Sequence, residues 1–255
     1  MAINRDSNSY TFGFAIVLVV VVGTILSVLA IGLKPQQEKN NIVKKQLDIL
    51  SAMMDTKEMG ITRKNAREEF GKYVDIEKAI VLKPDGSVNE GIYDKDGKVI
   101  DGKAFDVDMR QEYKDKKRKA EFRNHALFVG TIDGETVYVI PVVGKGLWGP
   151  IWGNICISSD MKTIRGASFG HKGETPGLGA EITQPFFINR WIGEKIADEN
   201  GDFAKFEIVK DGSGSEKESK VDGITGGTIT SKGVEEMANR CLKVYSVYFK
   251  NLSKK

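Results

Sequence analysis

Histidine and cysteine are nearly absent from this chain, two of each in 255 residues. Cys156 and Cys241 stand far apart with no metal-ligand spacing, and His125 and His171 complete no Cys/His set, so the sequence offers no metal centre. Cys156 falls in the alternating run "IWGNICIS" and Cys241 on the apolar side of the last helical pattern, which reads as two buried, inert thiols; a disulfide between them stays open. An excess of one charge is also missing. Lys and Arg number 38 against 35 Asp and Glu, a formal charge of +3, and the signs are interspersed. Without a basic stripe the chain is not read as a nucleic-acid binder. The length is enough for one large domain or two small ones with a real core.

What the sequence does have is one long uncharged run. Residues 10–33, "YTFGFAIVLVVVVGTILSVLAIGL", would exceed the roughly 30 Å hydrocarbon core as a helix rising about 1.5 Å per residue. A buried core helix would not be apolar on every face. A signal peptide usually has an apolar region of only about 7–15 residues, and "VLA" at 28–30 fits a cleavage site loosely. The expectation is an uncleaved single-span membrane anchor, preceded by a short tail, 1–9. Only Arg5, offset by Asp6, precedes the span, whereas Lys34, Lys39, Lys44 and Lys45 follow it. Taken literally, these lysines would keep the following domain in the cytoplasm. The positive-inside rule is weak for long translocated domains, so charge leaves the side open.

Residues 34–74 read as a helical linker. "NNIVKKQLDILSAMMD" has Ile42, Val43, Leu47, Leu50 and Met54 at helical spacing, and a second helix is expected over 62–73. The globular part, 75–255, is predicted to be α+β, with a mainly antiparallel sheet and flanking helices. "KAIVLKPDGSVNEGIYDKDGKVI" reads as short strands broken by Pro-Asp-Gly and Asp-Gly turns. "HALFVGTIDGETVYVIPVVG" is a hairpin about Asp133-Gly134, and "GPIWGNICISS" and "TIRGASFG" add two strands. The charged segment "DMRQEYKDKKRKAEFR" is expected to be a solvated helix or loop. "EITQPFFINRWIGEKIAD" has helical spacing with aromatic anchors, "FAKFEIVK" reads as a strand, and "DGSGSEKES" as a flexible polar loop. "SKGVEEMANRCLKVYSVYFKNL" is an amphipathic helix with Val234, Met237, Cys241, Val244 and Tyr248 on one face.

Two glycine-rich stretches break this pattern. "HKGETPGLGAEI", 171–182, packs three glycines and a proline between a strand and a helical pattern. Pro176-Gly177 fixes a tight turn, and Gly179 lets the backbone approach another surface. Leu178 among such residues is either tucked into the core or part of a loop folded over a flat apolar ligand. "DGITGGTIT", 222–230, puts Gly226 and Gly227 among threonines at the start of the last helix. Unpaired N–H groups and the helix dipole there favour an anion. The alternative is a plain helix start capped by Thr230 or Ser231. The P-loop pattern fails, because Lys232 lacks the Gly-x4-Gly-Lys-Ser/Thr arrangement.

"DGITGGTIT" resembles the flavinylation motif of the FMN-binding domain family, Asp-x-x-Ser/Thr-Gly-Ala-Thr-x-Thr. "HKGETPGLGAEI" is similar to that family's Glu-Thr-Pro-Gly-Leu-Gly signature, and "GKGLWGPIWG" resembles its Gly-x-Gly-Leu-Trp segment. The three motifs occur in the family's order, and the likeness extends over nearly the whole chain, anchor included. It implies FMN joined through its phosphate to Thr228, with Asp222 and Thr225 at the other fixed positions and Gly226 in the turn. Gly227 departs from the usual alanine, which loosens the turn without removing a reactive group. By the same resemblance Glu174, Thr175, Leu178 and Gly179 line the flavin ring, Leu178 against its face, and Gly146, Leu147 and Trp148 form part of the opposite wall. Lys145, Lys172 and Lys232 are either ordinary surface lysines or offset charge on the reduced flavin, and His171, beside the loop, is either a partly exposed residue at a strand end or a hydrogen-bond donor to the flavin.

No residue takes a catalytic role and no metal is implied. The resemblance implies that a separate flavin transferase, using FAD and magnesium, makes the bond. The resemblance further implies a single-pass protein of the bacterial inner membrane with its FMN domain on the periplasmic side. It would relay electrons as one member of a multisubunit Na+-translocating NADH:quinone oxidoreductase, with the other subunits as partners. An Rnf-type electron-transport subunit is the nearer alternative, and an anchored binding or assembly module without redox function the more distant one.

Overall fold

A computed structural model describes residues 7–214 and 218–254. Most of the predicted tail and the centre of the predicted polar loop, 215–217, lie outside the described residues. The chain divides into two compact units, 1–45 and 46–255.

The first unit is helical. α1 (Asn8–Met53) begins in it, and the side chains of its apolar run are exposed on all sides. Among the described residues this is the one helix long and apolar enough to cross a membrane. The helix predicted after the anchor is not separate but continues it. Pro35 lies inside α1, where it removes the bond its own N–H would have made one turn back and its ring crowds the carbonyl there.

In the second unit, six strands form an antiparallel sheet in the order β2-β1-β5-β6-β7-β8. These are β1 (Val74–Leu82), β2 (Val88–Asn89), β5 (His125–Ile132), β6 (Glu135–Lys145), β7 (Pro150–Ile157) and β8 (Ile164–His171). β3 (Ile92–Tyr93) pairs with β4 (Val99–Ile100) in a separate hairpin. β9 (Glu207–Val209) and β10 (Lys220–Asp222) form a short parallel pair. The hairpin at Asp133-Gly134 has both residues at positive φ, 54° and 81°, the requirement of a two-residue type I′ turn.

β5 to β7 read as nearly continuous apolar runs because both faces of the sheet are covered. One face meets α5 (Thr228–Leu252), where Leu127, Ile140, Val142 and Ile155 pack with Val234, Met237, Cys241 and Tyr245. Tyr245 Oη donates to the Ala126 carbonyl at 2.8 Å. The buried stripe is broader than the predicted one, because Tyr245 and Phe249 are buried while Val244 and Tyr248 sit at its margin. The other face meets the last turns of α1. Ser168 Oγ donates to the Asp48 carbonyl at 2.9 Å, and a Cβ at Gly166 would overlap the Ala52 carbonyl.

Three expectations change. The helix expected over 62–73 is shorter, α2 (Ala66–Tyr73), because Asn65 Oδ1 accepts the Thr62 N–H at 2.7 Å and holds residues 62–65 in a turn. The stretch 181–198 is not a continuous helix. It consists of a 3-10 turn (Gly179–Thr183), the single turn α4 (Pro185–Ile188) and a further 3-10 turn (Asn189–Trp191). Pro185 restarts the helix and Gly193, at φ 91°, ends it. The aromatic spacing serves a plug: Trp191 is fully buried against Phe169, Phe187 and Phe206, with ring centroids 5.3–6.3 Å away. The charged segment 108–123 is only partly solvated. Asp108 caps α3 (Met109–Lys114), and Glu112 on it is buried, with Arg118 Nη1 at 2.8 Å and Asn124 Nδ2 at 2.9 Å.

Candidate functional site

The three motif segments, far apart in sequence, meet at the start of α5. The first is the reversal between β6 and β7, closed by the Gly146 N–H donating to the Gly149 carbonyl at 2.8 Å. The helix lies directly on the end of β6: a Cβ at Gly144 would stand 2.8 Å from Met237 Cβ, and one at Gly233 would overlap the Lys145 carbonyl. Sequence reading did not single out Gly233, although a glycine inside an amphipathic helix is a signal of close approach.

The second segment leaves β8 at His171. The His171 ring accepts the Glu174 N–H at Nδ1, 3.1 Å away, which leaves its other nitrogen as the protonated one when the ring is neutral. The Thr175 carbonyl accepts both the Leu178 and the Ala180 N–H at 3.1 Å. Gly177 adopts φ 75°, and its N–H donates to Glu181 Oε1 at 2.8 Å.

The third segment runs out of β10. Arg190 Nη1 donates to the Asp222 and Gly223 carbonyls at 2.8 and 3.1 Å, anchoring the strand end. The Asp222 carboxylate accepts the Gly214 N–H at 3.1 Å, so it shapes the neighbouring loop. Residues 224–227 then form a turn closed by the Gly227 N–H and the Ile224 carbonyl at 2.9 Å. Gly226 takes φ 76° at its third position, as a type II turn requires. Gly227 stands at the helix N-cap with no side-chain cap. The cap expected from Thr230 or Ser231 is not formed. Ser231 Oγ instead accepts the Ile224 N–H at 3.0 Å, and the Ser231 N–H is the first in the helix taken by a carbonyl, that of Gly227. The amides of Thr228, Ile229 and Thr230 are first-turn groups with no intrahelical acceptor.

Two contacts join the segments. Leu178 lies over the glycine pair, with Cδ2 2.6 Å from where a Gly226 Cβ would be and its carbonyl 3.1 Å from a Gly227 Cβ. Beneath, Glu174 is buried, 4% exposed. Its Oε1 accepts the Trp148 N–H at 2.9 Å and its Oε2 the Thr230 hydroxyl at 2.5 Å. Gly146 and Gly179 are small for the same reason: a Cβ at either would lie 2.6 Å from a Glu174 oxygen. The Thr230–Glu174 pairing escaped sequence reading, because the partners are 56 residues apart.

Around this lock the surface is apolar and uncovered. Leu147, Trp148, Leu178 and Ile229 are 47, 69, 42 and 59% exposed. Thr228 is half-buried among them, Thr225 and Thr175 are exposed, and Thr230 is sealed at 2%. Lys145 and Lys172 are exposed at the margin, and Lys232 is held by Glu235 at 2.6 Å. Both cysteines are free thiols in the core. Burial pushes Cys156 up to about 12 and raises Cys241, which suits inert packing.

This region coincides with a known domain. The family described as FMN-binding domain matches residues 146–243. The C subunit of the Na(+)-translocating NADH-quinone reductase of Vibrio parahaemolyticus is 32% identical over 92% of this chain and 90% of its own length. Its Yersinia pestis equivalent is 28% identical over 92% and 89%. Among solved structures, the C subunit of the reductase from Parabacteroides distasonis aligns with a TM-score of 0.69 and 35% identity, covering 86% of this chain and 96% of that one. The Shewanella oneidensis NqrC structure aligns at 0.62 with 25% identity, over 86% and all of its length. An Rnf-type subunit has no counterpart among these four relatives. With its long apolar N-terminal helix, its antiparallel sheet and the FMN-binding domain at the head of α5, the chain belongs to the NqrC family, the C subunits of the Na+-translocating NADH-quinone reductases.

Proposed function

We propose that this chain carries FMN esterified through its phosphate to Thr228 Oγ1 and, so loaded, relays electrons within a Na+-translocating NADH:quinone oxidoreductase. The observation that carries this reading is the position of Thr228. Its hydroxyl stands on the first residue of α5, beside first-turn amides that lack intrahelical acceptors and next to the glycine pair that the exposed Leu178 crosses. Both halves of the cofactor fit. The amides and the helix dipole favour the phosphate, which keeps one negative charge as a diester. Leu147, Trp148, Leu178 and Ile229 offer the apolar surface that a flat ring requires. Gly226 and Gly227 keep that bend free of Cβ atoms where Leu178 crosses it.

The bond is the work of a flavin transferase using FAD and magnesium. Thr228 Oγ1 bonds to the flavin-side phosphorus of FAD, and the bond from that phosphorus to the adenylate side breaks. AMP leaves with the electron pair, and the hydroxyl proton passes to a base of the transferase. When bound, FMN supplies reversible uptake and release of electrons. The chain's own residues bind and orient it, so none of its side chains acts as acid, base or nucleophile in turnover. Thr175 and Gly179 on the Leu178 loop, and Gly146 on the opposite loop, shape the walls, while Asp222 and Thr225 hold the approach to the turn.

Residues 10–33 would cross the bacterial inner membrane, 34–74 would link, and 75–255 would stand on the periplasmic side beside the other subunits. The span carries no charged residue, which argues against an ion path through it. Mass spectrometry of the peptide containing Thr228, after co-expression with a flavin transferase, tests the reading. The expected result is an FMN adduct on Thr228, with no fluorescent band on a denaturing gel for T228A. An unmodified wild-type peptide would instead leave an anchored binding or assembly module.

A further inference from the structure

The segment 225–231 holds four hydroxyls, on Thr225, Thr228, Thr230 and Ser231, yet they are used in different ways. Ser231 is buried and accepts the Ile224 N–H. Thr230 is buried and donates its hydrogen to Glu174 Oε2. That bond is short, 2.5 Å. The other oxygen of Glu174 holds the Trp148 amide, and the backbone of Glu174 is itself fixed by His171. One carboxylate thus ties the loop after β8, the β6–β7 reversal and the first turn of α5. Among the described residues no cation lies within ion-pair distance of it.

We propose that Glu174 and Thr230 form the positioning pair that presents Thr228 for flavin attachment. This rests on Thr228 being the esterified residue and goes beyond it. Thr230 follows Thr228 by two positions on the same helical turn, so fixing its hydroxyl fixes the rotation of that turn. Thr228 is thereby kept outward, and the loop carrying Leu178 is held down upon Gly226. The buried pair removes Thr230 as a competing acceptor, because its hydrogen is committed and its oxygen is sealed beneath Gly179. Glu174 on this account is not a ring contact, since both its oxygens face protein donors.

The test uses the full-length chain in detergent, purified without flavin and incubated with a flavin transferase, FAD and magnesium. Adduct formation is followed by intact mass, its position by peptide mass spectrometry, and the folded fraction by circular dichroism. E174A and T230V are expected to slow attachment at Thr228 at least tenfold per folded molecule. T230S, which restores the donor, recovers most of the rate, and E174Q, which keeps shape and one acceptor, falls between. T228A is expected to take no adduct, although Thr230 is intact. Should E174A fail to fold, the contrast between T230V and T230S decides alone. Attachment at wild-type rate per folded molecule in T230V, or in a folded E174A, overturns the proposal while leaving Thr228 as the acceptor. An adduct persisting in T228A overturns the assignment of Thr228 itself and the pair with it.

Discussion

Two buried glutamates stabilise two different kinds of loop. Glu112, in the segment between β2 and β5, meets a guanidinium: Arg118 lies 2.8 Å away, and Asn124 adds its side chain and its backbone N–H. Arg118 and Asn124 also reach the Tyr93 carbonyl. Charge is balanced there, and the same two side chains tie Glu112 to Tyr93, so the region closes on itself. Glu174 has only neutral donors, Trp148 N–H and Thr230 Oγ1, and the loops that it gathers leave amides unpaired and four large apolar side chains uncovered. A self-satisfied clamp serves the fold. A clamp whose surroundings stay unsatisfied serves a ligand, and only the second region lies within the FMN-binding match.

Removing the first clamp therefore has the largest expected effect on stability and none on flavin attachment. Glu112→Ala leaves Arg118 buried without its counter-charge and leaves two Asn124 N–H donors without their acceptors. A loss of about 4 kcal/mol follows from breaking a buried pair on one side. Chemical denaturation should record that loss, and the mass of the adduct on the still-folded fraction should match wild type. A fall in adduct yield on folded protein would erase the distinction between the two regions.

The next effect is set by pH and again belongs to the structural side. His125 pairs with Leu82 across β1 and β5 and stacks edge-on against Tyr245 at 6.2 Å. Burial, with Arg240 and Arg123 nearby, lowers its pKa from 6.5 to about 4. The folded state thus resists the proton that the unfolded chain accepts. Its contribution is fully present above about pH 6.5 and is lost as pH falls towards 4, at up to about 1.4 kcal/mol per unit and about 3 kcal/mol in all. His125→Phe should flatten stability between pH 6.5 and 4. An unchanged slope would mean that other groups carry it.

How much of this was legible follows from the range of each interaction. The hairpin at Asp133-Gly134 and the helix behind Thr228 are written locally, in turn chemistry and in a repeating apolar stripe. The convergence of Gly146, Gly179 and Gly226 was legible only through the family likeness, because a glycine announces a close approach without naming what approaches. The Thr230–Glu174 bond joins residues read for other roles, Thr230 as a helix cap and Glu174 as part of the ring wall, because nothing local links them across 56 residues. In 181–198 the aromatic spacing imitated a helix, and Pro185 with Gly193 overruled it once Trp191 had a pocket to fill. The continuity of α1 was missed because an uncharged run and a helically spaced one read as two separate elements.

The smallest expected change in stability makes the sharpest comparison. Gly226→Ala forces an alanine into φ 76° and places its Cβ against the movable end of Leu178. The backbone term is about 1–2 kcal/mol, partly offset by a stiffer unfolded chain, so a net loss of about 1 kcal/mol is expected by denaturation. That is far less than for Glu112→Ala, yet attachment of flavin at Thr228 should slow severalfold, because relief comes from lifting Leu178 or unwinding the bend that presents the hydroxyl. Stability and flavin loading would then respond in opposite order to the two substitutions. Only if the loops about Glu174 are built for a ligand, and those about Glu112 for the fold, does that inversion arise; equal ranking in both measurements would show a single scaffold with no such division.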